Sequence, residues 1–318
     1  MSADPSRKII LGSRGSELAR AQTAMVATAL QHAWPALEIK LEIIKTRGDE
    51  RSPEAIEPID PRAGRKGLFT GEVERVLAAG GIDIAVHSAK DLPSDAMLGL
   101  ELRALPRAPV DDVLIRKTAG ALASLRQKAI IATGSVRRQH QLRCKRPDIE
   151  VLDLRGNVPT RLRKLMTNEW DSIVLARAGI ERLGYNLSTG YFDFEGALLH
   201  VEILSRDEFV PAGGQGVIAM QLRSGDEKTE AIVDAVNDAD TLLCLRAERE
   251  FLRRLQGDCQ SPVGVLATIE NNEMTLRAQV FEEGNATPKT GKVRLSLCTQ
   301  EPEKVAEALY CRMYGREN

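Results

Sequence analysis

The chain has 318 residues, of which 43% are hydrophobic and 28% are charged, and its formal net charge is −1. This composition is typical of a folded globular protein and excludes a disordered or fibrous chain. The length predicts two or three domains. No stretch approaches the ~18 apolar residues of a membrane span, and the polar segment Met1 to Lys8 lacks a signal-peptide pattern. We therefore expect a cytoplasmic protein with no membrane partner.

The cysteine and histidine residues follow no disulfide or metal-binding pattern. The five cysteines include no C-x-x-C pair, and the four histidines are scattered without H-E-x-x-H spacing. An odd number of cysteines in a long chain without a secretion signal argues against a disulfide framework. We therefore expect no bound metal.

In chain order, short apolar runs alternate with amphipathic stretches up to about residue 236. This alternation predicts βαβ units and mainly parallel sheets. A helix is predicted from Ser16 to about Trp34, and a shorter one over 70–79 with Thr70 as its N-cap. Residues 47–66, rich in Pro, Gly and charge, are predicted to form a long loop. The predicted strands are 8–14, 38–46, 82–88, 129–135, 149–154, 172–177 and 217–222.

After Asp238 the pattern changes to a small α+β unit of about 80 residues, a size that can fold independently. A long helix over about 239–255 is followed by a loop, two strands joined at Asn271-Asn272, a third strand and a closing helix at 302–314. The sequence thus predicts an α/β protein of three domains. Their expected boundaries are 1–107 with 216–236, then 108–210, then 239–318.

Arginine is concentrated in the middle of the chain. Of 44 basic residues 31 are Arg, and residues 126–182 carry 13 basic and 6 acidic side chains. Guanidinium groups bind planar carboxylates and phosphates through paired hydrogen bonds, although a solvated helix face is the simpler alternative. Ligands of parallel sheets bind beyond the carboxyl ends of the strands, and five predicted strands end in hydroxyl residues, glycines or cations. This placement favours a polyanion site over scattered surface charge.

Two further positions are candidates for chemistry. Asp91 is a carboxylate among these cations; it is either a helix cap or ion-pair partner, or a buried carboxylate that stabilises positive charge on a substrate. Cys259 lies in the turn-rich loop 256–262 and not in an apolar periodic segment, so it is a candidate for covalent attachment.

The motifs taken together resemble those of the porphobilinogen deaminase (hydroxymethylbilane synthase) family. They occur in family order from the first strand into the third domain, and the match is weak over 185–209 and the last 40 residues. The matching segments begin with Arg14-x-Ser16-x-Leu18-Ala19, Thr46-Arg47-Gly48-Asp49, Lys66-Gly67-Leu68-Phe69 and the run 83–93 around His87-Ser88-Ala89-Lys90-Asp91. They continue with Ser135-Val136-Arg137-Arg138, Leu154-Arg155-Gly156-Asn157, Arg182-Leu183-Gly184, Gly214-Gln215-Gly216 and Cys259-Gln260-x-Pro262.

The resemblance implies two periplasmic-binding-protein-like α/β domains, a small C-terminal domain and a transferase reaction. Four porphobilinogen molecules would condense, each losing ammonia, onto a dipyrromethane cofactor joined by a thioether to Cys259, and water would release hydroxymethylbilane. Asp91 matches the catalytic aspartate of the family, and Gln215 lies in a hinge segment. The resemblance also implies a monomer. The residues expected to bind cofactor or substrate are Arg14, Ser16, Lys66, Phe69, Ser88, Lys90, Thr133, Ser135, Arg137, Arg138, Arg155, Gly156, Arg161, Arg182 and Gln215.

Three positions depart from the family pattern. Ala132 replaces a glycine, Gly134 replaces a serine, and Asp258 replaces the glycine before the cofactor cysteine. The added carboxylate should raise the pKa of the neighbouring thiol and hinder cofactor attachment.

Two other functions compete with the transferase. An anion-binding protein without chemistry would use only the first two domains and leave the Cys259 loop without a purpose. Nucleic-acid binding through residues 126–182 is weaker, because no aromatic residues are interleaved there for base stacking. We therefore expect no nucleic-acid partner.

Overall fold

The computed structural model describes residues 8–45, 70–95, 97–256, 262–282, 285 and 287–315. Within these ranges the chain forms three sheets and eight α-helices. None of the described helices has the length and apolar character needed to cross a bilayer.

The strands and helices are numbered in chain order. The strands are β1 Lys8–Ser13, β2 Glu38–Ile43, β3 Ile84–Ser88, β4 Leu100–Ala104, β5 Asp112–Arg116, β6 Ile130–Ala132, β7 Glu150–Leu152, β8 Ser172–Ala176, β9 Tyr191–Phe194, β10 Ala197–Ile203, β11 Ile218–Arg223, β12 Val263–Glu270, β13 Glu273–Val280 and β14 Lys289–Ser296. The helices are α1 Glu17–Ala33, α2 Gly71–Ala78, α3 Val136–Lys145, α4 Val158–Thr167, α5 Arg177–Glu181, α6 Glu227–Asp234, α7 Ala239–Arg254 and α8 Pro302–Tyr314.

The first sheet has the order β2-β1-β3-β11-β4. Strand β1 pairs in parallel with β2 and β3, whereas β11 returns from more than 100 residues later and runs antiparallel to β3 and β4. Fully buried Leu11, Ile84 and Met220 belong to one apolar cluster of this sheet, which also includes Val26 and Leu30 of α1. The carboxyl ends of β1 and β3 therefore lie side by side, which brings the segments after Ser13 and Ser88 to one edge.

The second sheet has the order β7-β6-β8-β5-β10-β9. Strands β7, β6 and β8 are parallel, as the alternating pattern predicts. Strand β5 is antiparallel to β8, and the hairpin β9–β10 extends the sheet by further antiparallel pairs. The parallel half is the part that carries the predicted binding segments, and it packs on α4 through Leu162 and Leu165.

The third sheet is the antiparallel meander β12-β13-β14. Asn271 and Asn272, both with positive φ angles, form the predicted hairpin turn between its first two strands. Its apolar face packs against Phe251 of α7 and Leu309 of α8. The α/β fold class with a small C-terminal α+β unit is confirmed by these three sheets. The domain boundaries given above stay predictions.

Glu248 of α7 links all three sheets. Its side chain is fully buried and accepts a bidentate ion pair from Arg107 at 2.7 and 3.1 Å. It also accepts the backbone N–H groups of Gly214, at 2.7 Å, and of Ala267 in β12, at 2.8 Å. Arg107 and Gly214 lie on the two chain crossings between the first and second sheets, so one carboxylate fixes both crossings against the third sheet.

The prediction that Thr70 caps α2 was wrong. Thr70 adopts a helical conformation, its side chain accepts no hydrogen bond from the first turn, and its buried hydroxyl has no partner among the described residues. A capping side chain needs the extended backbone of the residue before the helix, which Ser16 has and Thr70 does not.

We expect Glu248→Ala to lower the free energy of unfolding by about 3–5 kcal/mol, because it leaves the Arg107 charge buried without its partner. Glu250→Ala is the matched control on the same helix; its pairs with Arg253 and Arg254 lie nearer the surface, and we expect a loss of about 1 kcal/mol or less. Urea denaturation monitored by circular dichroism measures both. Equal losses in the two variants would contradict the linking role of Glu248.

Candidate active site

The predicted binding residues of the first two sheets converge on one cleft. Burial lowers the pKa of Arg161 in α4, and the negative charge of Asp91, in the short helix after β3, opposes this shift. In the same way, the charges of Arg137 and Arg138 in helix α3 and of Asp112 in the second sheet affect the pKa of Lys90. Charges on separate sheets affect one another's pKa values only when the groups lie near each other. The segments after the strand ends of both sheets therefore meet at the junction of the two sheets, and their role in ligand binding stays a prediction.

Three helices begin at this cleft, each with a side-chain cap. The hydroxyl of Ser16 accepts the N–H of Ala19 at 3.3 Å, and that of Ser135 accepts the N–H of Arg138 at 3.5 Å. Asn157, which no motif had marked as a binding residue, caps α4. The hydroxyls of Ser16 and Ser135 thus orient helix N-termini, whose remaining N–H groups and dipoles favour anions.

The cations of the cleft are half-buried without sufficient counter-charge. Burial lowers the pKa of Lys90 to about 8, and the neighbouring Arg138 contributes in the same direction against the opposing effect of Asp91. Burial and the charge of Arg138 lower the pKa of Arg161 to about 10, and burial alone lowers the pKa of Arg182 to about 10. Each shift means that the charged form is disfavoured at this place. An anion bound in the cleft would relieve this cost.

The adjacent arginines Arg137 and Arg138 are both paired inside the protein. The fully buried carboxylate of Asp112 accepts Nη1 of Arg137 at 2.8 Å and Nη2 of Arg138 at 2.7 Å. These two charges hold the pKa of Asp112 well below its ordinary value, against the opposing effect of burial. The Nε atoms of both arginines are buried and have no hydrogen-bond partner among the described residues.

Gln215 joins the same network from the return crossing between the sheets. Its Nε2 donates to Oδ1 of Asp112 at 2.8 Å and to the carbonyl oxygen of Val110 at 2.6 Å. Its Oε1 is buried and unpartnered within the described part of the chain. Asp112 is therefore a central residue that sequence reasoning missed. The available signal was an acidic pair, Asp111-Asp112, directly before the apolar run Val113-Leu114-Ile115.

Asp91 is exposed, so the expectation of a buried carboxylate was wrong. It is the last residue of a short 3-10 helix, Ala89–Asp91, and not its N-cap. Among the described residues it forms no ion pair within 4.0 Å, which leaves the carboxylate open to a ligand.

The remaining predicted residues differ in how far their side chains are already engaged by other groups of the protein. Arg155 is half exposed and pairs with Asp153 at 2.7 Å. Nε of Arg161 donates to the carbonyl oxygen of Gly156 at 2.7 Å, and Nη2 of Arg182 donates to that of Gly216, also at 2.7 Å.

Ser88 exchanges hydrogen bonds with Gln22 at 2.8 and 3.1 Å, a partner that the sequence did not suggest. Thr133 is fully buried beside Ser135, whose N–H it accepts at 3.4 Å. Burial lowers the pKa of His87 to about 4, and the charge of the nearby Arg14 contributes in the same direction. Lys66, Phe69, Asp258 and Cys259 lie outside the described residues.

The close approach of two chain segments explains one departure from the family pattern. A Cβ atom at Gly134 would lie 2.4 Å from the carbonyl oxygen of Leu154, so a serine requires a backbone shift at this position. Gly214, with a φ of +74°, is similarly confined, since its Cβ would lie 2.9 Å from the backbone of Ala89 and Lys90. These contacts bring the return crossing directly against the helix that carries Asp91.

The described residues hold no group of three or more His, Cys, Asp or Glu side chains arranged to bind a metal ion. The arrangement is instead that of a cationic cleft with one free carboxylate. Such a site can bind several carboxylate groups and stabilise positive charge near Asp91.

Comparison with known proteins identifies relatives over most of the chain. Residues 9–231 match the family model "Porphobilinogen deaminase, dipyromethane cofactor binding domain", and residues 242–312 match "Porphobilinogen deaminase, C-terminal domain". A porphobilinogen deaminase of Roseiflexus sp. (strain RS-1) is 44% identical over 86% of this chain and 85% of its own. That of Chlorobium phaeobacteroides (strain BS1) is 37% identical over 95% of this chain and 92% of its own.

Among solved structures, the regulatory domain of OxyR2 from Vibrio vulnificus aligns with a TM-score of 0.40 and 13% identity, covering 74% of this chain and 97% of that domain. At this level of likeness, the fold assignment depends on the three sheets described above.

We expect Asp112→Asn to lower the free energy of unfolding by about 3–5 kcal/mol, because two buried guanidinium groups lose their counter-charge. The lowered pKa of Asp112 means that its stabilising contribution is complete above about pH 4 and is lost only in stronger acid. The variant should therefore lose stability over the whole neutral range. Asp148→Asn, which removes an exposed carboxylate paired with Arg146, should cost much less, because an ion pair of an exposed group contributes little. Urea denaturation at pH 7 tests the pair, and an equal cost in both variants contradicts the assignment.

Proposed function

The chain belongs to the porphobilinogen deaminase family, and we propose that the cleft between its first two sheets carries out the reaction of that family. The activity is that of hydroxymethylbilane synthase, a transferase that condenses four porphobilinogen molecules with loss of ammonia and releases the linear tetrapyrrole. Its cofactor is dipyrromethane.

The observation that supports this cleft is its uncompensated positive charge. Pyrrole units with acetate and propionate arms bring several carboxylates into one site. The lowered pKa values of Lys90, Arg161 and Arg182 indicate cations that lack sufficient negative charge, and the buried Nε atoms of Arg138 and Arg182 have no partner among the described residues. The residues present therefore fit a polycarboxylate. When bound, the cofactor supplies the pyrrole ring to which substrate units are joined.

We assign the binding of these carboxylates to the cations on both sides of the cleft. Lys90 acts from the first sheet, and Arg138 and Arg161 act from the second. Serine and threonine hydroxyls and the helix N-termini supply additional hydrogen bonds. The binding set comprises Arg14, Ser16, Ser88, Lys90, Thr133, Ser135, Arg138, Arg155, Gly156, Arg161 and Arg182.

Asp91 is the catalytic carboxylate in this proposal. Because it is exposed to the cleft and has no ion pair with a described residue, its oxygens are available to accept a pyrrole N–H of the substrate. An ionised carboxylate at this place stabilises the positive charge that develops on the ring as ammonia leaves.

Arg137 and Gln215 act through Asp112. The Nη1 atom of Arg137 is shared among Asp112, Gln141 and the carbonyl oxygen of Val210, which leaves little capacity for a ligand. We therefore assign both residues to positioning: they hold the carboxylate that orients Arg138 at the cleft.

The remaining assignments follow from the family resemblance. We propose that Cys259 carries the cofactor through a thioether, and that Lys66 and Phe69 border the site. A monomeric, cytoplasmic protein that acts without nucleic acid or membrane also stays a prediction.

The function is tested by intact mass and turnover. The purified protein should be heavier than its sequence by two linked pyrrole units, and Cys259→Ser should lose that mass. Asp91→Asn should lower kcat by about 100-fold or more, as does removal of other groups that stabilise transition-state charge, with an unchanged circular dichroism spectrum. Asp240→Asn, on the exposed first turn of α7, is the charge-matched control and should retain activity. An unmodified active enzyme, or near-normal turnover without Asp91, would refute the corresponding assignment.

The pKa of Lys90, about 8, predicts a pH dependence of carboxylate binding in the cleft before the cofactor is attached. As pH rises through 8 the lysine loses its charge, so the affinity of the cofactor-free Cys259→Ser variant for citrate should fall by up to about tenfold per pH unit above that value. When Lys90→Arg is added to this variant the charge persists, and the fall should be absent below pH 9.5. Isothermal titration calorimetry between pH 6.5 and 9.5 measures the affinity. A profile identical in both variants would exclude Lys90 as the titrating group.

A further inference from the structure

A second cationic cavity, outside the cleft, lies between the second and third sheets. It has a volume of about 400 Å³, which lies within the size range of small-molecule sites. Its floor is the face of the third sheet that points away from helices α7 and α8. The lining residues on this face are Leu266, Thr268, Thr275, Arg277 and Lys292. Its wall is the segment 205–207, which follows β10. None of these residues belongs to the predicted active site.

The charges that line this cavity do not balance. Arg206, Arg277 and Lys292 line the cavity together with one carboxylate, that of Asp207, and the buried Asp111 pairs with Arg206, so the three cations exceed their carboxylates by one. The Asp207 side chain is 89% exposed and pairs with Arg277 at 2.7 Å. An ion pair with such an exposed partner contributes little, so Asp207 can turn to solvent when another anion arrives.

The register of the third sheet places two of the cations directly opposite each other. Arg277 of β13 faces Lys292 of β14 on one side and Leu266 of β12 on the other. Like charges at directly opposed positions destabilise a sheet. Lys292 forms no ion pair within 4.0 Å with any described residue, so this repulsion is not compensated by a partner on Lys292.

The two arginines are nevertheless held in place by the protein. Nε of Arg206 donates to Oδ1 of the buried Asp111 at 2.7 Å. Arg277 also donates to the carbonyl oxygen of Arg206, which ties the floor of the cavity to its wall. A preorganised pair of guanidinium groups loses less conformational entropy when it binds an anion than two mobile side chains would.

We propose that this cavity is a binding site for a small dianion, either a phosphate monoester or a dicarboxylate. With Asp207 turned to solvent, Arg277 and Lys292 offer two positive charges to the ligand, and the hydroxyls of Thr268 and Thr275, cross-strand neighbours, supply donors beside the cations. The proposal does not depend on the reaction assigned to the cleft, because no residue is shared between the two sites.

The test uses the holoenzyme with isotopically labelled threonine methyl groups, titrated separately with inorganic phosphate and with succinate at constant ionic strength. The methyl signals of Thr268 and Thr275 report on the cavity, and that of Thr133 reports on the cleft. We expect saturable shifts of Thr268 and Thr275 with at least one of the two anions. Which anion saturates the signals distinguishes the phosphate from the carboxylate source.

The matched variants are Lys292→Gln and Lys228→Gln, both at exposed lysines, the second on α6 of the first sheet. Loss of the Lys292 charge should weaken binding by about tenfold, the effect of one charge-assisted hydrogen bond, whereas Lys228→Gln should leave it unchanged. The proposal is overturned if Thr268 and Thr275 do not shift with either anion, if the shifts do not saturate, if only Thr133 responds, or if both variants bind like the wild type.

Discussion

The proposed active site of this protein depends on one buried carboxylate. Asp112 begins β5 at the point where the chain crosses from the first to the second sheet, and it neutralises two adjacent arginines and accepts a hydrogen bond from Gln215 on the return crossing. Without it, two guanidinium groups would be buried unpaired at the junction of the sheets, at a cost of several kcal/mol. The orientation of Arg138 at the cleft follows from this one neutralisation.

The excess of positive charge in the cleft lowers the stability of the folded protein and at the same time favours the binding of anions. Lys90, Arg161 and Arg182 are kept charged in surroundings that disfavour the charge, as their lowered pKa values indicate. Interactions in such a low-dielectric, preorganised site are stronger than the same interactions in water. Each cation therefore contributes favourable binding energy to a ligand with several carboxylates, whereas a neutral molecule receives no such contribution.

Two carboxylates connect the cleft to the rest of the molecule in different ways. Asp112 belongs to the network of the second sheet and the return crossing, whereas Glu248 of α7 fixes Arg107, Gly214 and Ala267 together. Since the two crossings carry residues of both networks, a movement between the first two sheets must also be accommodated at the third. Helix α7, which ends five residues before Cys259 in the sequence, is thus fixed by Glu248 to the crossings between the first two sheets.

The sequence alone determined which strand ends meet, because in parallel sheets the carboxyl ends of neighbouring strands share one edge. Lys90 and Asp91 could therefore be assigned to one edge of the first sheet, and Arg138 and Arg161 to one edge of the second, from their positions after predicted strands. The third sheet and its asparagine turn were also predictable, since alternation and turn residues are local signals.

Only the tertiary structure decided which charged and polar side chains are paired, buried or exposed. The pairing of Arg137 and Arg138 with Asp112, the exposure of Asp91 and the unused cap at Thr70 depend on contacts between segments far apart in the chain. A pKa or an ion pair is set by the groups that share a small volume of low dielectric, and strand and helix periodicity carry no information about that volume.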